Sequence, residues 1–431
     1  MESVTATPVA TPEEPVASGP AVLQPLRKRD FRLVFLGESI SLIGDQFHFV
    51  ALAWLTLQLT GSGFALGTVL TVAAIPRAIF MLLGGALSDR FSPRTLMLTS
   101  NALRGVVVGV MAAVVISGNA QLWQLYVLAV IFGVVDAFFY PALNTIVPML
   151  VSDRQLPPAN ALVQIMQQMS GLIGPAIAGL VVAAVQTGPA FAVDAASFGV
   201  ATVAISLVRG GRRAAKAEGK EAAAGESLLG TIGSGLGFAW RDPAVRSLIL
   251  LIAAFNFAFA GPISVGLPYL ADNRFDGGPA LFGLMFSCFG AGAVVGAAFA
   301  GSLKHVPQLG WMTLIIAGAL GVGMAAIGWA PHVMLALIPM VGIGIGAGFL
   351  NVRVIAWLQQ RTPEAMRGRV MSLVMLGAVG LQPISLAVSG AIIDLGADAL
   401  LFMVAGGIVL TAVVSGAAAG IPARMHDEVA A

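Results

Sequence analysis

Charge is scarce in this sequence. Only 10% of its 431 residues are Asp, Glu, Lys or Arg, against about a quarter in an ordinary soluble domain. A soluble protein of this length folds as roughly three domains under a charged surface, and so few charges cannot coat one. Cysteine is nearly absent too. The single Cys288 excludes an intramolecular disulfide and any Cys-cluster metal site. No glycine-rich stretch is followed by Lys and Ser/Thr: the run Gly342, Gly344, Gly346, Gly348 has no such ending and is no phosphate loop. Neither a His/Asp metal constellation nor a Ser-His-Asp arrangement beside a loop is found, so no cofactor is expected and energy must come from an ion gradient, not ATP hydrolysis.

Apolar residues are abundant, at 58%, and twelve membrane helices of about 20 residues need roughly 240 of them. The composition therefore points to a polytopic membrane protein and away from a secreted, nucleic-acid-binding or disulfide-framed one. A membrane-embedded enzyme would need clustered polar catalytic groups at one membrane face, which the sequence does not offer. Apolar spans recur near 33–59, 64–86, 95–117, 121–143, 160–185, 189–208, 246–271, 278–303, 310–330, 332–356, 369–393 and 398–421. Residues 1–26 form a Pro- and Ala-rich tail with no signal-peptide pattern, expected to be disordered. Residues 209–243 are a basic and Ala/Gly/Glu-rich linker, with a surface helix expected near 226–240, and 425–431 a second tail. These divide the chain into two six-helix bundles, 27–208 and 244–424. With both termini in the cytoplasm, 19 of the 23 Lys and Arg fall on the cytoplasmic side, as the positive-inside rule requires. Arg274 alone falls outside, and Arg77, Arg104 and Arg353 lie within spans. Arg outnumbers Lys 19 to 4, a bias associated with GC-rich bacteria, so a bacterial plasma membrane is expected.

The halves echo one another. Ala65-Leu66-Gly67 and Gly85-x-Leu87 around the second span match Leu281-Phe282-Gly283 and Gly301-x-Leu303, each glycine displaced by 216, while Gly174-Pro175 has its echo at Pro383. A near-constant offset suggests internal duplication, as in secondary transporters built from repeated halves.

Charges inside spans are costly and default to functional roles. Asp45 lies about 18 Å along the first span at 1.5 Å per residue, near the midplane. His48 and Glu38 share its helical face. Asp45 is read as a proton carrier, the alternative being a permanent partner of Arg77 or Arg104. His48 can shuttle protons, bind substrate or simply pack, and Glu38, nearer the span's end, is expected to snorkel. Asp136 sits about 22 Å from the outer end of the fourth span, level with Arg104, so a buried ion pair is expected. Arg353 lacks an acidic neighbour and could meet an anionic substrate group or a backbone carbonyl.

The loop Gly85-Ala86-Leu87-Ser88-Asp89-Arg90-Phe91-Ser92-Pro93-Arg94 resembles the Gly-x-Leu-Ala-Asp-Arg-x-Gly-Arg-Arg/Lys signature of the major facilitator superfamily, with Ser92 and Pro93 departing from it. Pro363-Glu364-Ala365-Met366-Arg367-Gly368-Arg369 is similar to the same superfamily's loop before span eleven. The resemblance implies a gate in which Asp89 contacts Arg367 or Arg369, with Gly85, Arg90 and Arg94 around it. Ser170-Gly171-Leu172-Ile173-Gly174-Pro175-Ala176-Ile177-Ala178-Gly179 is similar to the exporters' Gly-x-x-x-Gly-Pro-x-x-Gly-Gly pattern, with Ser170 and Ala178 for glycines. Its small residues permit close helix packing and its proline a kink. Gly37-Glu38-Ser39-Ile40-Ser41-Leu42-Ile43-Gly44-Asp45 with Ala53-Trp54-Leu55 resembles the first helix of the macrolide-efflux and enterobactin-exporter branch.

What the resemblance implies is an all-α, twelve-helix fold with a pocket between spans 1, 4, 7 and 10. Phe47, Phe138, Phe139, Asn256, Phe257 and Asn351 are its candidate lining, with Arg353, and with Gln164, Gln167 and Gln168 nearby. Such a pocket suits a bulky amphipathic molecule. The expected function is proton-coupled export of a drug-like compound by a monomer. A dedicated siderophore or natural-product exporter is the alternative, and a transporter-like sensor a more distant one.

Overall fold

In a computed structural model of the chain, the structure describes residues 21–88, 92–210, 237, 240–303 and 308–425. Twelve helical spans long and apolar enough to cross a bilayer account for most of them. In chain order these are α1 (Arg29–Thr60), α2 (Gly63–Ser88), α3 (Pro93–Ile116), α4 (Leu122–Leu150), α5 (Asp153–Val185), α6 (Thr187–Ser206), α7 (Pro243–Asn273), α8 (Gly278–Ser302), α9 (Leu309–Trp329), α10 (Val333–Arg361), α11 (Arg369–Asp394) and α12 (Asp398–Ala418). No strand occurs among the described residues. The tail expected to be disordered through residue 26 already forms a 3-10 turn at Ala21–Arg27, where Pro25 is buried against the bundle. The surface helix expected near 226–240 falls outside the described residues but for Gly237 and Trp240.

Apolar side chains point outward as well as inward. Ile315, Ile338 and Val414 are 67%, 69% and 68% exposed, a fault in water and the correct solution in lipid. Trp123, Trp311 and Trp329 stand exposed at span ends, where indole rings anchor a helix at the headgroups. Span ends are tied by side chains. Ser92 accepts from the Thr95 amide at 3.2 Å and Pro93 opens α3, so the two departures in the loop signature serve as an N-cap and a first-turn proline. Arg94 donates to the carbonyls of Ile205 (3.2 Å) and Ser206 (2.6 Å) and closes α6.

Within the first half α6 packs on α1 and α3; within the second, α8 packs on α10 and α9 on α12. Two seams join the halves, α5 with α8 and α2 with α11. Both are built on glycine. A Cβ on Gly67 would stand 2.5 Å from the Leu386 carbonyl oxygen and 3.2 Å from Gly390 Cα; one on Gly283 would strike the Pro175 carbonyl oxygen and stand 3.1 Å from Gly179 Cα. Gly67 and Gly283 are the residues 216 apart that the repeat aligns, and each admits the partner half's backbone. At the α2–α11 seam there is also a polar tie. Asp394, at the end of α11, accepts from Ser62 Oγ at 2.6 Å and from the Phe64 amide at 3.1 Å, capping α2 from the other half.

Three spans break near mid-length, each beside a proline. Pro141 has no N–H for the Ala137 carbonyl, and α4 parts between Asp136 and Phe139. In α7, Pro262–Gly266 is a π-turn followed by Pro268. Pro383 follows the break in α11 between Val379 and Gln382.

Candidate functional site

A cavity of about 360 Å³ lies between the halves, and its walls gather at those breaks. Asp136 and Tyr140 flank the break in α4, Ser264 lies in the π-turn, and Val379 and Gln382 flank the break in α11. The two walls differ. The first half supplies Asp45, Gln46 and His48 of α1, Arg77 of α2, and Asp136 and Tyr140 of α4, set among Leu42, Phe49, Leu52, Leu70 and Phe132. The second half offers Phe286, Val379 and Leu386 with only Ser264 and Gln382 for hydrogen bonding. Phe49 reaches across, 5.3 Å from Phe286, and the aromatic contact continues through Phe289 to Phe259 at 4.8 Å.

Behind the polar wall sits Arg104, fully buried. Its guanidinium donates to Asp136 at 3.0 Å and to Asn101 at 2.5 Å, and stands 3.9 Å from Asp45. Rings of Phe139 and Phe198 flank it at 4.3 and 4.5 Å, a desolvated cation–π setting. Arg77 pairs with the other oxygen of Asp136 at 3.0 Å. Asn101 passes the chain on, donating to Glu38 at 2.8 Å. Glu38 therefore does not snorkel: it is wholly buried, because α3 supplies a partner within reach.

One functional candidate escaped the sequence reading. Asp194 of α6 has no solvent exposure, and its Oδ2 lies 3.6 Å from His48 Nδ1. The signal was present as a lone acid in the apolar run 189–208. What it faces became visible only in three dimensions. His48 itself is held by rings, stacked on Phe132 at 4.5 Å and edge-on to Phe191 at 5.6 Å. In sum, four carboxyls (Glu38, Asp45, Asp136, Asp194) share this part of the first half with two guanidiniums.

The structure places the other expected residues elsewhere. None of Phe47, Phe138, Phe139, Asn256, Phe257 and Asn351 borders this cavity. Phe47 and Phe139 are buried in packing, Phe138 lies against Phe80, and Asn256 donates to its own helix at Ile252. Phe257 offers its carbonyl to Ser385, and Asn351 is exposed. Arg353 donates to the Leu303 carbonyl at the end of α8, the backbone alternative of the two expected for it. Within the exporter-like stretch, Gly174 abuts Gln46 of α1, Gly179 and Pro175 abut α8, and the Gly171 carbonyl approaches Gly290. Gly85 lies in the last turns of α2, Arg367 donates to the Gln359 carbonyl at 3.1 Å, and Arg369 reaches Met366 Sδ at 3.9 Å. Asp89 and Arg90 lie outside the described residues, and with them the expected gate contact.

A family model described as Major Facilitator Superfamily matches residues 34–381. The chain belongs to that superfamily. Among superfamily relatives it is similar to macrolide efflux protein A of Streptococcus pyogenes, 21% identical over 80% of this chain and 85% of that one. It is likewise similar to the multidrug efflux pump Tap of Mycolicibacterium fortuitum, 25% identical over 81% and 86%. Solved superfamily-like folds agree. A POT family transporter in complex with 5-aminolevulinic acid superposes with TM-score 0.69 at 15% identity, over 90% of this chain and 95% of that one. A bacterial homologue of the iron transporter ferroportin, in an inward-facing state, gives 0.67 at 16% identity, over 90% and 98%. As a superfamily member the chain is a secondary transporter and not an enzyme, a multi-pass membrane protein that handles a small-molecule substrate in a lipid environment.

Proposed function

We propose that this transporter exports a small, amphipathic, drug-like molecule across the bacterial plasma membrane in exchange for protons. The observation that carries the reading is the cavity's make-up: charged groups from the first half alone, set among aromatic and aliphatic side chains from both halves. An amphipathic guest satisfies both kinds of surface at once, and the relatives named for macrolide and multidrug efflux support that class. Proton coupling is supported by the charge inventory. Four carboxyls, three of them buried and Asp45 partly so, exceed two guanidiniums by two negative charges, and a low-dielectric interior resists such an excess until protons or a cationic guest offset it. Asp45 faces the cavity with 26% of its side chain open, the best position for exchanging a proton against substrate.

In the cycle, the monomer keeps both termini in the cytoplasm, and the halves 27–208 and 244–424 rock about the site. The loop 85–94, through Asp89, closes on Arg367 or Arg369 when the cavity faces outward. The test is transport by the reconstituted protein of a panel including a macrolide, under an imposed pH gradient. Gradient-driven flux is expected, and Asp45→Asn is expected to abolish it while leaving substrate binding in place. Flux indifferent to the pH gradient in the parent protein sinks the antiport reading.

A further inference from the structure

Two atoms behind the polar wall are left without partners although they face each other. His48 Nδ1 and Asp194 Oδ2 are both buried and make no hydrogen bond, yet stand only 3.6 Å apart. A buried polar atom without a partner carries a desolvation penalty, larger for a charged group, so two such atoms facing each other are a suitable pair to share a proton. The gap is slightly longer than a hydrogen bond and too short for any intervening atom larger than hydrogen.

We infer that His48 and Asp194 form a proton-holding site of their own, set behind the cavity and filled through the imidazole. The inference rests on the proton-coupled reading above and adds to it a residue, Asp194, and an order of transfer.

Three features build the site. Gly44 lets α6 come close: a Cβ there would collide with Ser197 and lie 2.8 Å from Asp194 Oδ1. Ser197 is the only side chain recorded as donating to the carboxyl among the described residues, at a long 3.4 Å, and its stronger bond goes to the Asp194 carbonyl at 2.7 Å. The imidazole borders the cavity and keeps 12% of its side chain open while Nδ1 itself is covered. It is thus wet on one edge and dry on the other, between Phe132 and Phe191.

The charged groups around Asp194 come from three elements. Asp45 and His48 face it from α1, Arg104 from α3 and Asp136 from α4. Arg104 bonds Asp136 and Asn101 and leaves its Nε without a partner, and among the described residues no Lys or Arg pairs with Asp194.

The transfer balances. The imidazole starts neutral with its proton on Nδ1, facing the Asp194 carboxylate. A hydronium in the cavity adds a proton at His48 Nε2 and becomes water. The N–H bond at Nδ1 then breaks as an O–H bond forms at Asp194 Oδ2. A neutral imidazole remains, its proton on Nε2, and the carboxylate has become a carboxylic acid that donates back to Nδ1. The pair has gained one proton and gone from one negative charge to none.

Infrared difference spectroscopy of the reconstituted full chain, stepped between acidic and alkaline buffer, reads protonated carboxyl groups without any substrate. A C=O band is expected that disappears in Asp194→Asn, returns at a shifted position in Asp194→Glu, moves in His48→Gln and survives in Asp45→Asn. A spectrum unchanged by Asp194→Asn overturns the site. So does a band that sodium chloride removes at constant pH, which makes the occupant a metal cation. Should Asp194→Asn fail to fold, the parent and His48→Gln decide the matter alone, since a band unmoved by His48→Gln also overturns it. Gradient-driven flux in the same vesicles separates the two ideas. Flux with no Asp194 band sinks this site only, whereas an Asp194 band without flux supports the site and sinks the antiport reading.

Discussion

Arg104 holds the first half's polar interior in one arrangement. Its planar fork reaches Asp136 and Asn101 at once, and two phenyl rings close its faces, a set of demands that a lysine ammonium does not meet. Removing the charge leaves Asp136 with Arg77 alone and Glu38 with an amide. Breaking a buried pair in this way costs about 3–5 kcal/mol. Arg104→Gln is therefore expected to lower the thermal unfolding midpoint in detergent sharply, and Arg104→Lys to recover only part of the loss; a midpoint unchanged in Arg104→Gln contradicts the assignment. At this scale sequence reasoning reached the Arg104–Asp136 level match from axial rise alone, because two charges in neighbouring apolar spans have few places to go. It misjudged Glu38, whose fate depends on Asn101, an uncharged residue of another helix that no charge pattern singles out. The same limit hid the pairing of Asp194 with His48.

Three helices of this protein are broken, and each break reaches the cavity, while α1, α2 and α8 line it unbroken. An apolar run of about 20 residues is the strongest signal a chain carries, and all twelve spans were legible from it. The breaks were only half legible: Pro141, Pro262, Pro268 and Pro383 accompany them, but Pro76, Pro175 and Pro339 lie inside unbroken helices, and the candidate lining followed aromatic and amide side chains of spans 1, 4, 7 and 10 instead. Broken backbone is tolerated at membrane depth only beside protein or a water-filled space, so interrupted spans were the better guide. At the seams the helices depend on missing side chains. Gly283→Leu is expected to force α5 and α8 apart, because even a Cβ meets the Pro175 backbone. Cross-linking between cysteines introduced on these two helices, in a background lacking Cys288, is expected to fall severalfold relative to the glycine parent. Equal cross-linking argues that the seam gives way without consequence.

At the scale of the whole molecule, the two halves are related by the repeat yet not joined alike. The α2–α11 seam adds the Asp394 cap on Ser62 and Phe64 to its glycine contacts. In the repeat, the residue corresponding to Asp394 at the offset of 208 is Gln186, at the end of α5 and with positive φ. No carboxylate stands there to cap α8. A side-chain cap is worth about 0.5–2 kcal/mol, which is roughly a two- to thirtyfold change in a two-state population at 1.4 kcal/mol per tenfold. Asp394→Ala is expected to raise, within that range, the labelling rate of a cysteine at position 68 by a membrane-impermeant thiol reagent, again in a background lacking Cys288. An unchanged rate means that the cap does not restrain opening.

That inequality gives the molecule a handedness in its motion. The α5–α8 seam has one side-chain bond, from the Ala176 amide to Ser287 Oγ at 3.0 Å, and is otherwise backbone against backbone, which rotates at little expense but separates only with the loss of many contacts together. The α2–α11 seam adds to its glycine contacts three such bonds, the two on Asp394 and one from Thr71 Oγ1 to the Pro383 carbonyl at 3.0 Å, which water can replace one at a time. A door hung this way swings on α5 and α8 and unlatches at α2 and α11. The gap is expected to open first along the Arg77 and Gln382 side of the cavity.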